Sequence, residues 1–196
     1  MKIPSSIIVS LALTAGGVFA QLQSANLKPD AWYSIIAVHS GKALEIAGGA
    51  DGKANGLQLQ QNEPTGADNQ LFQFKQAKSG FFTITAKHSG KVLEIRDNSM
   101  KDHAPVQQND ANGQDNQLFT LVKDPGSYRI IARSTGYGFD VSGGVKSTSN
   151  NIPVIVYPAT GAANQTFRIV EAGAKPSAQN NVGVHDPSVK PDNTSK

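Results

Sequence analysis

Apolar residues in this chain come in short bursts, separated by polar stretches rich in glycine. Residues Trp32 to Val38, Phe81 to Ala86 and Tyr128 to Ala132 are dense in aromatic and branched side chains, which predicts strands. Leu44-Glu45-Ile46 alternates apolar, acidic, apolar, so its apolar side chains face one way and its carboxylate the other. Leu93-Glu94-Ile95 and Phe139-Asp140-Val141 repeat the pattern. Ser40-Gly41-Lys42 and Gly48-Gly49 supply turns. No stretch carries a convincing helical period.

The bursts belong to a repeat. Gln70-Leu71-Phe72, Gln117-Leu118-Phe119 and Gln165-Thr166-Phe167 stand 47 and 48 residues apart, each preceded by an asparagine: Asn69, Asn116 and Asn164. A second block lies upstream in each copy. Val38 to Ile46 matches Lys87 to Ile95 closely, and Arg133 to Val141 matches more loosely. Coincidence does not put two blocks in register three times. Four strands per copy predict an all-β domain of about twelve strands. Three copies are few for a propeller, whose blades usually number ~4–8.

On these residues the chain resembles the ricin-type β-trefoil, the fold of the ricin B-chain lectins and related carbohydrate-binding modules. The family's Gln-x-Trp signature is matched in all three copies, with phenylalanine in place of tryptophan. The resemblance covers residues 30–171, in repeats of about 30–75, 76–122 and 123–171. It implies that Phe72, Phe119 and Phe167 pack in a shared core. Phenylalanine fills less volume than tryptophan, so neighbours must make up the difference.

The resemblance also implies up to three shallow sugar pockets, one per copy. Such a pocket needs a carboxylate to accept hydrogen bonds from hydroxyls, a ring to cover the sugar's apolar face and a side-chain amide. The matching carboxylates are Glu45, Glu94 and Asp140; the matching amides are Asn69 with Gln70, Asn116 with Gln117, and Asn164 with Gln165. The ring position falls on Asn62, Asn109 and Tyr157, so only copy three has the ring. Copy three also has the shorter acid. The extra methylene of Glu45 and Glu94 is expected to push their carboxylates outward and to add a rotamer to freeze. Asp140, Tyr157 and Asn164, with Gln165 orienting the asparagine or the loop, therefore form the best-preserved site. Glu45 with Asn62, and Glu94 with Asn109, are either duplicated surface residues or polar pockets for a different sugar.

The ends read differently from the repeats. Met1-Lys2, the apolar run Ile7 to Leu13 and the small residues Val18 and Ala20 make a signal peptide over residues 1–20, too short for the ~20 apolar residues of a membrane span. Residues 21–29 form an N-terminal segment. Residues 172–196, with Pro176, Pro187 and Pro191 among polar residues, form a disordered tail. A secreted, extracellular protein follows from this reading. Asn193-Thr194-Ser195 is a glycosylation sequon, and so is Asn164-Gln165-Thr166, which burial of Asn164 would keep unmodified.

Composition narrows the chemistry. The 196 residues contain no cysteine, which excludes disulfides, thiolate metal sites and cysteine catalysis. Eighteen scattered Lys and Arg oppose fifteen Asp and Glu, a net charge of +3 that points to no nucleic-acid partner. No membrane insertion, metal or cofactor is expected. His39 and His88 share one turn in two copies, where symmetry holds them apart, and His103 and His185 lack a ligand-spaced partner. Asp110 to Asp115 lacks the spacing and glutamate of a calcium loop. A glycosidase needs two carboxylates roughly 5–9.5 Å apart. A pseudo-threefold axis would spread Glu45, Glu94 and Asp140 instead, so no enzyme is expected. The partners expected are glycans or glycoconjugates. The alternatives are a protein-interaction module such as a protease inhibitor, and a toxin or effector that uses sugar binding.

Overall fold

The computed structural model describes residues 27–78 and 80–173. The signal peptide expected from the sequence, and the expected tail from residue 174 onward with His185 and Asn193, lie outside the described residues. Twelve strands occur in chain order: β1 (Tyr33–Ala37), β2 (Ala43–Ile46), β3 (Leu59–Asn62), β4 (Phe72–Lys78), β5 (Phe81–Ala86), β6 (Val92–Ile95), β7 (Val106–Asn109), β8 (Phe119–Asp124), β9 (Ser127–Ala132), β10 (Gly138–Val141), β11 (Ile152–Tyr157) and β12 (Phe167–Glu171). Among the described residues only short 3-10 turns interrupt them.

The pairings separate two layers. Strands β1, β4, β5, β8, β9 and β12 pair in a closed antiparallel ring, β1 returning to β12. A closed ring leaves no unpaired edge. The hairpins β2–β3, β6–β7 and β10–β11 cap the barrel and touch one another through β3–β11 pairing and the bridges Gln58–Gln107 and Pro105–Ile155. Each copy thus gives two strands to the ring and one hairpin to the cap, which is the β-trefoil plan.

The signature phenylalanines sit at the first residue of β4, β8 and β12, fully buried. Each lies opposite an aromatic residue across the ring: Tyr33 with Phe72, Phe82 with Phe119, and Tyr128 with Phe167. Further ring contacts extend this packing. Phe139 meets Phe119 edge-on at 5.2 Å, and Phe74 meets Phe82 at 5.4 Å. Such contacts add to the burial of the rings themselves. The core is continuous, with Leu44, Leu93 and Phe139 carrying it into the cap.

Polar clamps lock the copies together at two of three seams. Gln61, fully buried, donates to the carbonyls of Ser147 (2.9 Å) and Ser149 (2.7 Å) and accepts from Ser40 Oγ (2.8 Å). Gln108 repeats this with Gly52 (2.9 Å), Ala54 (2.8 Å) and Ser89 (2.8 Å). The two turn histidines serve the same seams, His39 Nε2 at 3.2 Å from the Ser147 carbonyl oxygen and His88 Nε2 at 2.9 Å from that of Gly52. At the third seam Val156 replaces the glutamine and Ser134 the histidine.

Candidate functional site

The candidate residues of each copy converge through two local devices. The first is the cap hairpin, which holds the acid opposite a residue of the next strand: Glu45 faces Gln60, Glu94 faces Gln107, and Asp140 faces Ile155. The second is the 3-10 turn before each signature phenylalanine, Asp68–Gln70, Asp115–Gln117 and Ala163–Gln165. One such turn directs its asparagine and glutamine inward, and all six amides are nearly fully buried. The glutamine both closes the preceding loop and holds the acid. Gln165 Oε1 accepts from Thr160 N–H (2.8 Å), while its Nε2 donates to the Pro158 carbonyl (3.0 Å) and to Asp140 Oδ2 (2.8 Å). Gln165 therefore orients the loop and the carboxylate; Asn164 is anchored by donating to the Val141 carbonyl at 3.2 Å.

The three acids end in different surroundings. Glu45 Oε1 accepts from Gln60 (2.9 Å) and Asn62 (2.8 Å), and Oε2 from Gln70 (3.0 Å) and Asn69 (3.4 Å). Glu94 is held likewise by Gln107 (2.8 Å), Asn109 (2.7 Å), Gln117 (3.0 Å) and Asn116 (3.4 Å). The expected outward push of these carboxylates does not occur: Glu45 is 8% exposed and Glu94 3%, against 7% for Asp140. The physical reason is that four amide donors draw each longer acid flat under its hairpin. In copy three both β11 donors are gone, Ile155 standing for the glutamine and Tyr157 for the asparagine.

Electrostatics follows the donor count. Burial pushes the Glu45 carboxyl upward, but the amides of Asn62, Gln70, Gln60 and Asn69 outweigh it and leave its pKa below the ordinary value. Burial also pushes Asp140 upward. There the amides of Gln165 and Asn164 and the charges of His103 and His39 offset only part, and its pKa stays raised.

Copy three also has a cavity beside its acid. A cavity of about 290 Å³ is lined by Asp140, Gly143, Gly144, Tyr157, Asn164 and His103, among others. Gly143 and Gly144 have φ of +85° and +78°. The matching residues of copy two, Asp97 and Asn98, share that left-handed conformation but carry side chains, which line a smaller cavity of about 210 Å³ beside Glu94. Asn116, another lining residue there, has a buried Oδ1 without a hydrogen-bond partner.

Three contributors lie beyond the residues that the motif singles out. Gln60 and Gln107 could have been found two positions before each ring position, where copy three changes to Ile155. His103 comes from copy two and lines the copy-three cavity. No spacing within one repeat signals a residue that crosses to the next.

Comparison with known proteins agrees with this geometry. The family model described as "ricin-type beta-trefoil lectin domain-like" matches the chain over residues 21–109 and again over 68–157. A designed threefold-symmetric protein, ThreeFoil, is 37% identical, with a TM-score of 0.68 over 72% of this chain and 99% of its own. The exo-β-1,3-galactanase 1,3Gal43A of Clostridium thermocellum is 25% identical over 74% of this chain but only 31% of its own, with a TM-score of 0.67. The Macrolepiota procera ricin B-like lectin, solved in complex with lactose, shares the fold at 20% identity, with a TM-score of 0.63 over 74% of this chain and 98% of its own. No curated protein sequence matches the chain significantly. Threefold signature, closed barrel, capping hairpins and the family match agree, and the chain belongs to the ricin-type β-trefoil lectin-like family.

Proposed function

We propose that this protein is a secreted, non-enzymatic glycan-binding module whose principal site is the copy-three pocket. The observation that carries the reading is the contrast among the acids. Glu45 and Glu94 spend their acceptor capacity on four amides each, whereas Asp140 is served by Gln165 and Asn164 and opens onto a cavity beside a ring. A carboxylate oxygen has about two acceptor positions, so Asp140 keeps capacity for sugar hydroxyls. Tyr157 supplies the flat apolar surface, and Asn164 lies in the same wall. The Gln165 bonds hold the loop before a ligand arrives, which lowers the cost of ordering.

In this reading Glu45, Asn62, Asn69 and Gln70, with Glu94, Asn109, Asn116 and Gln117, chiefly hold their hairpins to their 3-10 turns. The copy-three cavity is lined by a single carboxylate, Asp140; this supports binding over glycosidic catalysis, which pairs two across one bond. The signal sequence at residues 1–20 supports secretion. The test is a glycan array probed with the protein and its Asp140→Ala variant. Binding that vanishes in the variant is expected; binding that survives moves the site to another copy, and a silent array overturns the glycan reading.

A further inference from the structure

The residue six positions before the ring position (Asn62, Asn109, Tyr157) takes a left-handed backbone in every copy: Gly56 (φ +81°), His103 (φ +61°) and Asn151 (φ +60°). Each donates its backbone N–H across a seam, to the carbonyls of Gln108 (2.9 Å), Val156 (2.8 Å) and Gln61 (2.9 Å). The three are thus one position of the fold, repeated. Glycine takes that conformation freely, and asparagine and histidine are among the side chains that tolerate it. What differs between the copies is what each side chain then meets.

The neighbours differ in use. Asn151 accepts from Gln60 (3.0 Å) and Asn62 (3.3 Å), joining the amide cluster over Glu45. His103 has no amide to meet, because Ile155 and Tyr157 occupy those places. Its ring lies edge-on to Tyr157, with centroids 4.8 Å apart and planes at 71°. It lines the same cavity as Asp140, with its side chain 64% exposed. A cavity of about 290 Å³ is at the small end of ligand pockets, so its walls decide what fits.

We infer that His103, supplied by copy two, is a positioning and specificity-determining residue of the copy-three pocket. It braces the Tyr157 ring in the orientation that a sugar face stacks on, and its imidazole forms the pocket wall on the seam side. The binding site therefore spans two repeats, and an isolated copy would lack part of it. This rests on copy three being the glycan site.

The substitution His103→Asn separates binding from folding, since asparagine occupies the equivalent left-handed position at Asn151. Mannose-, galactose-, N-acetylgalactosamine- and sialic-acid-terminated glycans on one array serve as probes for the native protein, Asp140→Ala and His103→Asn. His103→Asn is expected to bind roughly three- to tenfold more weakly, the range of an aromatic pair, with its melting temperature unchanged within about two degrees. In NMR titrations with the strongest array ligand, the imidazole C–H signals of His103 should move while those of His88 stay. Native binding that Asp140→Ala abolishes and His103→Asn leaves intact would overturn this inference alone. So would weakening that comes with a lowered melting temperature and unmoved His103 signals. Native protein silent on the whole array would overturn the glycan reading beneath it.

Discussion

Ile155 stands directly across the β10–β11 hairpin from Asp140, at the register where Gln60 and Gln107 face Glu45 and Glu94. This single exchange separates a carboxylate enclosed by amides from one with acceptor capacity left. The two glutamines donate at 2.9 and 2.8 Å to their acids; isoleucine cannot donate at all. The difference between an occupied pocket and an available one thus lies on the strand facing the acid as much as in the acid itself.

Restoring the donor should close the site. In Ile155→Gln the new amide competes with ligand hydroxyls for Asp140. A hydrogen bond to a charged group is worth ~1.5–3 kcal/mol, so glycan affinity should fall by roughly tenfold or more. Calorimetric titration of the strongest array ligand into both proteins checks this. Unchanged affinity would show that the oxygen facing Ile155 takes no part in recognition.

The acids of copies one and three should respond to pH with opposite signs. The folded state holds the Glu45 pKa below its ordinary value, so its contribution to stability is present above the unfolded pKa and lost as pH falls through the lower folded one. Asp140 is raised, so the folded state favours its protonated form. Its ionisation costs stability, a cost absent below the unfolded pKa and complete above the raised folded one. At neutral pH, Glu45→Gln should therefore lower stability by about 1–3 kcal/mol, the cost of stranding buried donors, and Asp140→Asn should raise it. Both differences should shrink in acid. Urea unfolding from pH 7 to pH 3 measures them, and equal signs at neutral pH would contradict the account.

The seam glutamines should carry stability without touching binding. Gln108→Val copies what copy three has at Val156, but it takes the Gln108 donor from the Ala54 carbonyl and the acceptor from Ser89 Oγ, and leaves the Gly52 carbonyl to His88. Losing partners for part-buried groups costs about 1–3 kcal/mol, so a loss of that size is expected in denaturant unfolding, with array binding retained. A loss below about 0.5 kcal/mol would mean that water replaces the glutamine without penalty.

Much of this architecture is legible in the sequence because it repeats. The Gln-x-Phe spacing located three copies, and Leu44-Glu45-Ile46 with its counterparts located the acids on their hairpins. Strand bounds agree closely, β5 falling on Phe81–Ala86 as the apolar burst suggested. What the repeat could not show were relations between copies. His39 and His88 show in the sequence only as residues of one turn in two copies, whereas their ring nitrogens lie 3.2 and 2.9 Å from neighbouring copies' carbonyl oxygens. His103 lacked any partner by spacing, because its ring meets Tyr157 of the next copy. The burial of Glu45 and Glu94 escaped for a different reason. Side-chain length suggests outward reach, whereas the number of donors around the acid decides where it lies.

The most direct test of one principal site is the number of ligands bound per chain. Titrating the strongest array glycan into the protein, with its oligomeric state measured in parallel, should give one site per chain, and none in Asp140→Ala. A monovalent chain should accordingly fail to agglutinate cells. Two or three sites per native chain, or one site that persists without Asp140, would contradict the account and return the binding role to Glu45 or Glu94.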